Sequence, residues 1–183
     1  KIDGSNFQCS IDENDNFIVG TRNNLLNRES KFQGYERAMR NENVENKLRL
    51  MKKLIYAAHI NDIIKDKFIL TVYGELCGGM YRHPEVEKVI GATRIQGRID
   101  YHPDNMWVPF DIIIRTDKDI YMCSTIEVND LCTQVGLPCQ IKKFEGTFDE
   151  CLNYQNDFID DTGHLLWNLP IIENNIVFLH SFL

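Results

Sequence analysis

The clearest periodic pattern in the sequence covers residues 44–64, and it restricts the fold more than any other feature. Apolar side chains recur there at steps of three and four residues, which predicts an amphipathic helix. The opposite side of this helix carries four cations, and such a charged face is ordinarily solvated. A helix with one apolar face must bury that face against other elements. The apolar positions are Val44, Leu48, Met51, Leu54, Ile55, Ala58 and Ile63, and the cations are Lys47, Arg49, Lys52 and Lys53.

Patterns typical of β-strands supply the partner surface for this helix. Phe7, Cys9 and Ile11 alternate with polar residues, and a polar turn at 13–16 precedes a second apolar run, which predicts a hairpin over 6–22. Residues 67–79 indicate a buried strand that leads into a glycine turn. Residues 93–101 and 106–114 are predicted to form a second hairpin about 102–105. Pro109 has no amide donor, so its part of the strand is expected near a sheet edge or a bulge.

The remaining segments are less regular and predict shorter elements. Residues 23–43 indicate a long loop, or a short helix on a loop, of the kind that forms lids and binding loops. A helix is predicted over 124–135 because Glu127 follows Ser124 by three residues, the spacing of a capping box. One or two helical turns are expected over 84–92, a short strand over 141–144, a helix over 147–159 and a last strand over 170–177. From the residues alone, the chain is of a mixed class.

Composition restricts both partners and compartment. The 183 residues carry a net charge of −7, which argues against coating nucleic acid by bulk electrostatics but is compatible with a local basic groove. The six cysteines show no Cys-x-x-Cys pair and no zinc spacing with histidine. We therefore expect reduced thiols, mostly as core filler, in a reducing compartment such as the cytoplasm. No apolar run approaches the roughly 20 residues of a transmembrane helix, so no membrane partner is expected.

Four places in the sequence carry candidate functional residues. The opening residues 1–7 place Lys1 in extended chain before an Asp-Gly turn, with Asn6 near enough to handle a phosphate; alone, such a turn is more typical of a plain surface. Arg22 closes the first hairpin as either a phosphate contact or an exposed strand-end side chain. Glu75 follows an apolar strand, where ligand contact is favoured over a salt bridge. Phe110, beside Pro109, is either ordinary core or a stacking surface for a base.

Together these motifs resemble those of the lysine-dependent nucleotidyltransferases, and most closely the ATP-dependent RNA ligases of the phage double-strand and RNA-editing types. The resemblance rests on the opening residues 1–7, on Arg22, on Tyr73-Gly74-Glu75-Leu76 and on Pro109-Phe110-Asp111-Ile112. It implies an α+β fold, the nucleotidyltransferase (ATP-grasp-like) domain of polynucleotide ligases. In that fold antiparallel sheets pack together with flanking helices, and the nucleotide lies in the groove between them. Residues 1–183 would form a single, incomplete domain of this type.

The resemblance also implies a chemistry for these residues. Lys1 would be the nucleophile that attacks ATP to form lysyl-AMP, and the AMP would pass to the 5′-phosphate of an RNA end before the 3′-hydroxyl seals the strand. Asn6 would hold a phosphate or ribose oxygen, and Arg22 would contact phosphate or sugar. Glu75 would accept a hydrogen bond from a ribose hydroxyl, and Phe110 would stack on adenine. Mg²⁺ would neutralise phosphate charge, although the resemblance identifies no residue of this chain that would bind it. The helix cations at 47–53 are then a minority candidate for contact with an RNA backbone.

The sequence departs from the family pattern at three places. RNA-editing and phage ligases commonly carry histidine where Asp3 stands, and aspartate is more typical of DNA ligases and capping relatives, although the continuation Gly-Ser-Asn-Phe favours RNA ligases. The residues that precede the lysine in the family are absent. Residues 171–177 resemble the approach to a Glu-Gly motif, yet neither that motif nor a Lys-x-Lys strand follows.

These departures set three expectations. We expect a fragment truncated at both ends, with little or no ligase activity by itself. The first alternative is a non-catalytic nucleotide- or RNA-binding remnant of the same fold. The second alternative is an enzyme that joins nicks in DNA.

Overall fold

The fold is α+β with antiparallel sheets, as expected. The computed structural model describes residues 2–27, 29–58, 67–142, 144–154, 157–173 and 176–178, so Lys1 lies outside the described residues. The strands are β1 (Ser5–Ile11), β2 (Phe17–Thr21), β3 (Leu25–Leu26), β4 (Ile69–Met80), β5 (His102–Arg115), β6 (Ile120–Met122), β7 (Asp157–Ile159) and β8 (Ile176–Phe178). The helices are α1 (Tyr35–Asn41), α2 (Val44–Ala58), α3 (Thr125–Val135), α4 (Phe148–Leu152) and α5 (Thr162–Trp167).

Six strands form one antiparallel sheet in the order β3-β2-β1-β4-β5-β6, and β7 pairs with β8 separately. The predicted first hairpin is confirmed by the pairing of β1 with β2. Its turn is closed by Asp12, whose Oδ1 accepts hydrogen bonds from the amides of Asn14 and Asn16 at 2.8 and 2.7 Å. A carboxylate that bonds the backbone a few residues ahead stabilises such a turn locally.

The main core lies between one face of this sheet and the helices α1, α2 and α3. Buried side chains of β1 and α2 belong to it, including Phe7, Ile11, Leu48 and Met51, and the periodicity predicted each of them. The predicted helix is confirmed as far as Ala58; residues 59–64 of that prediction lie outside the described residues.

The charged face of α2 is partly occupied by the first hairpin. Arg49 donates from Nη1 to the carbonyl of Asp15, and Lys52 donates from Nζ to the carbonyl of Asp12, each at 2.6 Å. These two cations therefore hold the hairpin turn against the helix, in addition to any contact with solvent.

Helix α3 begins where its sequence signature predicts. The Ser124 hydroxyl accepts a hydrogen bond from the Glu127 amide at 3.4 Å, and the Glu127 carboxylate accepts one from the Ser124 amide at 2.7 Å. This reciprocal pair satisfies two amides that the first helical turn leaves without partners. Gly136 ends the helix with a φ of 71°, a left-handed conformation that glycine adopts easily.

The predicted second hairpin is wrong. Residues 93–101 form no strand, and β5 begins at His102 and pairs along its length with β4. The reason is Asn105, which is fully buried. Its side chain accepts from the Thr93 amide at 2.9 Å and donates to the Thr93 carbonyl at 2.6 Å. This tertiary contact keeps 102–105 extended, although Pro, Asp and Asn are typical turn residues.

Several shorter predictions also need correction. Residues 84–92 form turns and no helix, and the described part of 141–144 contains no strand. The helix predicted over 147–159 ends at Leu152, and residues 157–159 of the predicted range form strand β7 instead. The strand predicted over 170–177 begins only at Ile176, and neither β6 nor α5 was predicted. Residues 23–43 contain the short helix α1, which was one of the two alternatives.

The six cysteines are free thiols, and four of them are buried, namely Cys9, Cys77, Cys123 and Cys132. Their expected use as core filler is therefore confirmed for these four. A cytoplasmic location stays a prediction. Within the described ranges, no helix combines the length and apolar character needed to cross a membrane.

Candidate functional site

Two of the candidate residues are direct neighbours across the sheet. Asn6 on β1 pairs with Glu75 on β4, and Glu75 pairs on its other side with Val108 on β5. Directly paired residues of antiparallel strands point to the same face of a sheet. This face lies opposite the main core, because the neighbours Phe7 and Leu76 belong to that core. We call Asn6, Glu75 and Val108 the site row.

Arg22 lies at the edge of the site row. Thr21 pairs with Phe7 across β2 and β1, so Arg22 follows the strand at the level of Asn6. Its side chain is exposed. The fold thus brings Asn6 and Glu75 together on neighbouring strands, with Arg22 directly after the end of β2. The exposure of Arg22 fits both of its interpretations.

Glu75 occupies a different position in its strand from the one expected. The sequence placed it at a strand end, but β4 continues to Met80, so Glu75 lies in the strand interior with 5% of its surface exposed. Gly78 and Gly79 continue the strand with φ values of 83° and 84°, where the pairing register with β5 shifts. Burial, and to a lesser degree the nearby Glu75 charge, raises the pKa of the Cys77 thiol.

Gly74 was expected to let a backbone or ligand approach closely, and the structure shows which group approaches. A Cβ at position 74 would lie 2.4 Å from Nε1 of Trp107. The indole ring therefore packs over this glycine, and its Nε1 donates to the carbonyl of Phe7 at 3.3 Å. The contact lies on the main-core face, so Gly74 supports the sheet beneath the site row.

Phe110 is the extra residue of a β-bulge. Gly74 pairs with Pro109 and Tyr73 pairs with Asp111, so Phe110 has no opposite residue on β4. The bulge expected beside Pro109 is therefore confirmed. Phe110 is partly exposed and is absent from the two apolar clusters of the described residues, which disfavours its interpretation as ordinary core. It lies two residues along β5 from Val108.

The three residues after Lys1 are each fixed beside the site row. Ile2 packs against a second apolar cluster that contains Val108 and Tyr101. The Asp3 amide donates to the Tyr101 hydroxyl at 2.8 Å. At Gly4 the chain lies so close to β4 that a Cβ would be 2.1 Å from the Leu76 carbonyl oxygen and 3.0 Å from Cγ of Glu75.

Sequence reasoning missed two residues that shape this region. For Tyr101 the sequence pattern predicts a strand and no functional role. Asp100, which is 2% exposed, accepts hydrogen bonds from the Arg82 amide, Nε and Nη2 at 2.9, 2.7 and 3.1 Å. No short motif marks either residue, because both contacts join positions distant in sequence.

A cavity lies at the other end of β1 and β4, away from the site row. It has a volume of about 580 Å³ and is lined by Glu13, Asp15, Arg49, Lys52, Lys53, Tyr56, Lys67 and Phe68; we call it the basic cleft. Of the predicted site residues, the four that the structure describes (Asn6, Arg22, Glu75 and Phe110) do not line it. Among the described residues, no group of three or more His, Cys, Asp and Glu side chains could hold a metal ion.

Comparisons with known proteins identify relatives of this fold. A sequence profile of the RNA ligase family matches residues 1–169. An alanine mutant of Naegleria gruberi RNA ligase, solved with AMP and Mn, matches 97% of this chain at 17% identity with a TM-score of 0.59. A second mutant of that ligase, solved with ATP and Mn, matches 74% of the chain at 20% identity with a TM-score of 0.49. The chain covers 42% and 31% of those two chains. A comparison with curated protein sequences gave no match.

Proposed function

The chain belongs to the RNA ligase family, and we propose that it is the adenylyltransferase part of an ATP-dependent RNA ligase. One observation carries the proposal: Ile2, Asp3 and Gly4 are fixed beside the row that contains Asn6 and Glu75. The lysine of the family motif is thus attached directly to a segment that lies next to a buried carboxylate and an amide on one face of the sheet.

The proposed first reaction joins Lys1 to AMP. The neutral amine attacks the α-phosphorus of ATP, a nitrogen–phosphorus bond forms, and the bond from the α-phosphorus to the bridging oxygen breaks. Pyrophosphate leaves with the electrons of that bond, and the amine proton passes to solvent. A lysine amine has a reference pKa of about 10.4, so nearby positive charge or partial desolvation must lower it for attack near neutral pH.

In the proposed second stage, AMP passes to the 5′-phosphate of an RNA end. The neighbouring 3′-hydroxyl then attacks that activated phosphate, closes the strand and releases AMP. Each of the three transfers forms one bond to phosphorus and breaks another. An oxygen of the RNA 5′-phosphate replaces the Lys1 nitrogen on AMP, and the 3′-hydroxyl then replaces AMP on the RNA phosphate, so no oxidant or reductant is needed.

The positions of four residues in and beside the site row support the proposed nucleotide contacts. Glu75 would accept hydrogen bonds from ribose hydroxyls, and Asn6 beside it would hold a ribose or phosphate oxygen. Arg22 would contact phosphate or sugar from the exposed edge of the row. Phe110, partly exposed on its bulge, would stack on adenine.

We propose ATP and Mg²⁺ as the cofactors. Mg²⁺ is commonly held by substrate phosphates together with one or two carboxylates, so we expect it to enter with ATP. The AMP and Mn in the Naegleria gruberi ligase structure support a nucleotide and a divalent cation in this fold. When bound, the cation would offset phosphate charge as pyrophosphate leaves.

Labelled ATP tests the proposed reaction. With ATP labelled at the α-phosphate and Mg²⁺, we expect a covalent label on the protein that survives denaturation. ATP labelled at the γ-phosphate should leave no label, since that phosphate departs in pyrophosphate. Labelling from the γ-position would indicate phosphorylation, and binding without covalent label would indicate the non-catalytic remnant. Sealing of nicked RNA and of nicked DNA by the same preparation then tests the expected weak ligase activity and the substrate.

Replacing Glu75 by glutamine is expected to weaken ATP binding about 10- to 100-fold. A hydrogen bond to a charged group contributes about 1.5–3 kcal/mol, and each 1.4 kcal/mol corresponds to about a tenfold change in affinity. Glutamine has nearly the same volume, so the fold should be retained. Equilibrium ATP binding, measured calorimetrically without catalytic turnover, reports this loss.

A matched control for this substitution is Glu42→Gln. Glu42 is also buried, with 7% of its surface exposed, but it lies at the end of α1 and pairs with Lys47 at 3.5 Å. We expect Glu42→Gln to bind ATP as the unsubstituted chain does. Equal binding by the two variants would remove Glu75 from the proposed nucleotide site.

A further inference from the structure

We propose that Tyr101 is a positioning residue whose hydroxyl holds the Asp3 backbone and thereby aligns the Lys1 amine with the α-phosphate. The inference rests on the proposed function, because it concerns the geometry of that same reaction. It assigns a role in the site to a residue outside the motifs from which the site was predicted.

The contact joins the backbone of an exposed residue to a buried side chain. The Asp3 amide donates to the Tyr101 hydroxyl at 2.8 Å, and only 1% of Tyr101 is exposed. Asp3 itself is exposed, but a buried hydroxyl without a partner costs free energy, so the Tyr101 hydroxyl has a strong preference to keep this contact. Ile2 packs against the same apolar cluster that contains the Tyr101 ring, so two consecutive residues after Lys1 are held by one group of side chains.

Other contacts hold the main chain around Tyr101 in place. Its neighbour Asp100 receives three hydrogen bonds from Arg82, which fixes the connection between β4 and β5. At α5, a Cβ on Gly163 would lie 2.7 Å from the Tyr101 carbonyl oxygen, so the helix backbone packs directly on this residue. The hydroxyl therefore belongs to a rigid part of the structure, as a positioning group requires.

The hydroxyl also has a constant protonation state. Burial raises the pKa of Tyr101 well above its ordinary value, although the hydrogen bond from Asp3 opposes this shift. Tyr101 therefore stays neutral throughout the pH range in which a lysine amine is titrated. A change in pH should act on Lys1 without releasing the Asp3 anchor.

The anchor is close to the nucleophile along the chain. Asp3 is two residues from Lys1, a span of at most about 7 Å in extended backbone. A displacement of about 1 Å at a reacting group can cost about 10²-fold in rate. Loss of the hydroxyl should therefore reduce alignment of the amine while leaving the ATP contacts on the site row in place.

Tyr101→Phe tests this role because it removes the hydroxyl and keeps the ring. In single-turnover labelling with ATP, we expect the limiting rate to fall about tenfold, with the half-saturating ATP concentration changed less than about twofold. The matched control is Tyr81→Phe, which removes another largely buried hydroxyl, one that donates to the Pro170 carbonyl. A limiting rate of Tyr101→Phe equal to that of Tyr81→Phe would overturn the inference.

Amide hydrogen exchange separates failure of this inference from failure of the proposed function. In the unsubstituted chain the Asp3 amide should be protected, and Tyr101→Phe should accelerate its exchange at least about tenfold while Tyr81→Phe does not. If the unsubstituted chain forms no adduct, the proposed function fails, and the positioning of Lys1 for that reaction is overturned with it. If the adduct forms but Asp3 exchanges equally in both variants, only the positioning role is overturned.

Discussion

Substitution of Lys1 by alanine is expected to abolish the covalent AMP label and leave ATP binding nearly unchanged. The side-chain amine is the proposed nucleophile, and the alanine side chain has no nitrogen that can form the bond to phosphorus. The nucleotide contacts proposed for Asn6, Arg22, Glu75 and Phe110 do not involve this amine. Labelling with α-labelled ATP and equilibrium ATP binding, measured on the same preparation, check both halves of the expectation.

The matched control for this loss is Lys53→Ala. Lys53 is an exposed lysine of the basic cleft, so its removal changes the net charge equally without touching the site row. It should label at the rate of the unsubstituted chain. Label that persists in Lys1→Ala, or disappears equally in both variants, would contradict the assignment of Lys1.

Substitution of Gly4 by alanine is expected to slow AMP labelling about 10²-fold. The added Cβ would meet the Leu76 carbonyl oxygen at 2.1 Å, and this backbone atom cannot rotate away as a side chain could. The segment that follows Lys1 must therefore move off β4, and misalignment of that size has a large effect on rate. Single-turnover labelling measures the effect, and thermal unfolding checks that the sheet persists.

Gly97→Ala provides the corresponding control. A Cβ at Gly97 meets no heavy atom within 4 Å, so the same chemical change there should leave labelling unaltered. If Gly4→Ala labelled as fast as Gly97→Ala, the close approach of residues 2–4 to β4 would not contribute to the reaction.

Local patterns in the sequence predicted the elements that local interactions determine. The alternation of Phe7, Cys9 and Ile11 was sufficient for the first hairpin, because its strands are joined by a short turn. The periodicity of residues 44–58 was sufficient for α2, since the buried side follows from the helical repeat. The start of α3 at Ser124 was predictable because both partners of its capping box lie within one turn.

The arrangement of the site depended on contacts that no local pattern encodes. Asn6 meets Glu75, which lies 69 positions later in the sequence, only because β1 pairs with β4 in this register. The same holds for Asp3 and Tyr101, separated by 98 residues. The resemblance to RNA ligases named the motif residues, but it gave no reason to choose Tyr101.

The errors share one physical cause, the dominance of tertiary contacts over local preference. Residues 102–105 have the composition of a turn, yet the buried Asn105 holds them in β5. Glu75 was assigned to a strand end because glycines follow, whereas Gly78 and Gly79 continue the strand through a register shift. In both cases the local composition favoured one structure, and pairing with a distant part of the chain determined the structure that forms.

A structure determined with an ATP analogue that cannot transfer AMP tests the central claim most directly. The account predicts adenosine on the face of the site row, with its ribose at Glu75 and its base at Phe110, and with the α-phosphate within reach of Lys1. Nucleotide bound instead in the basic cleft, among Lys52, Lys53 and Lys67, would contradict it.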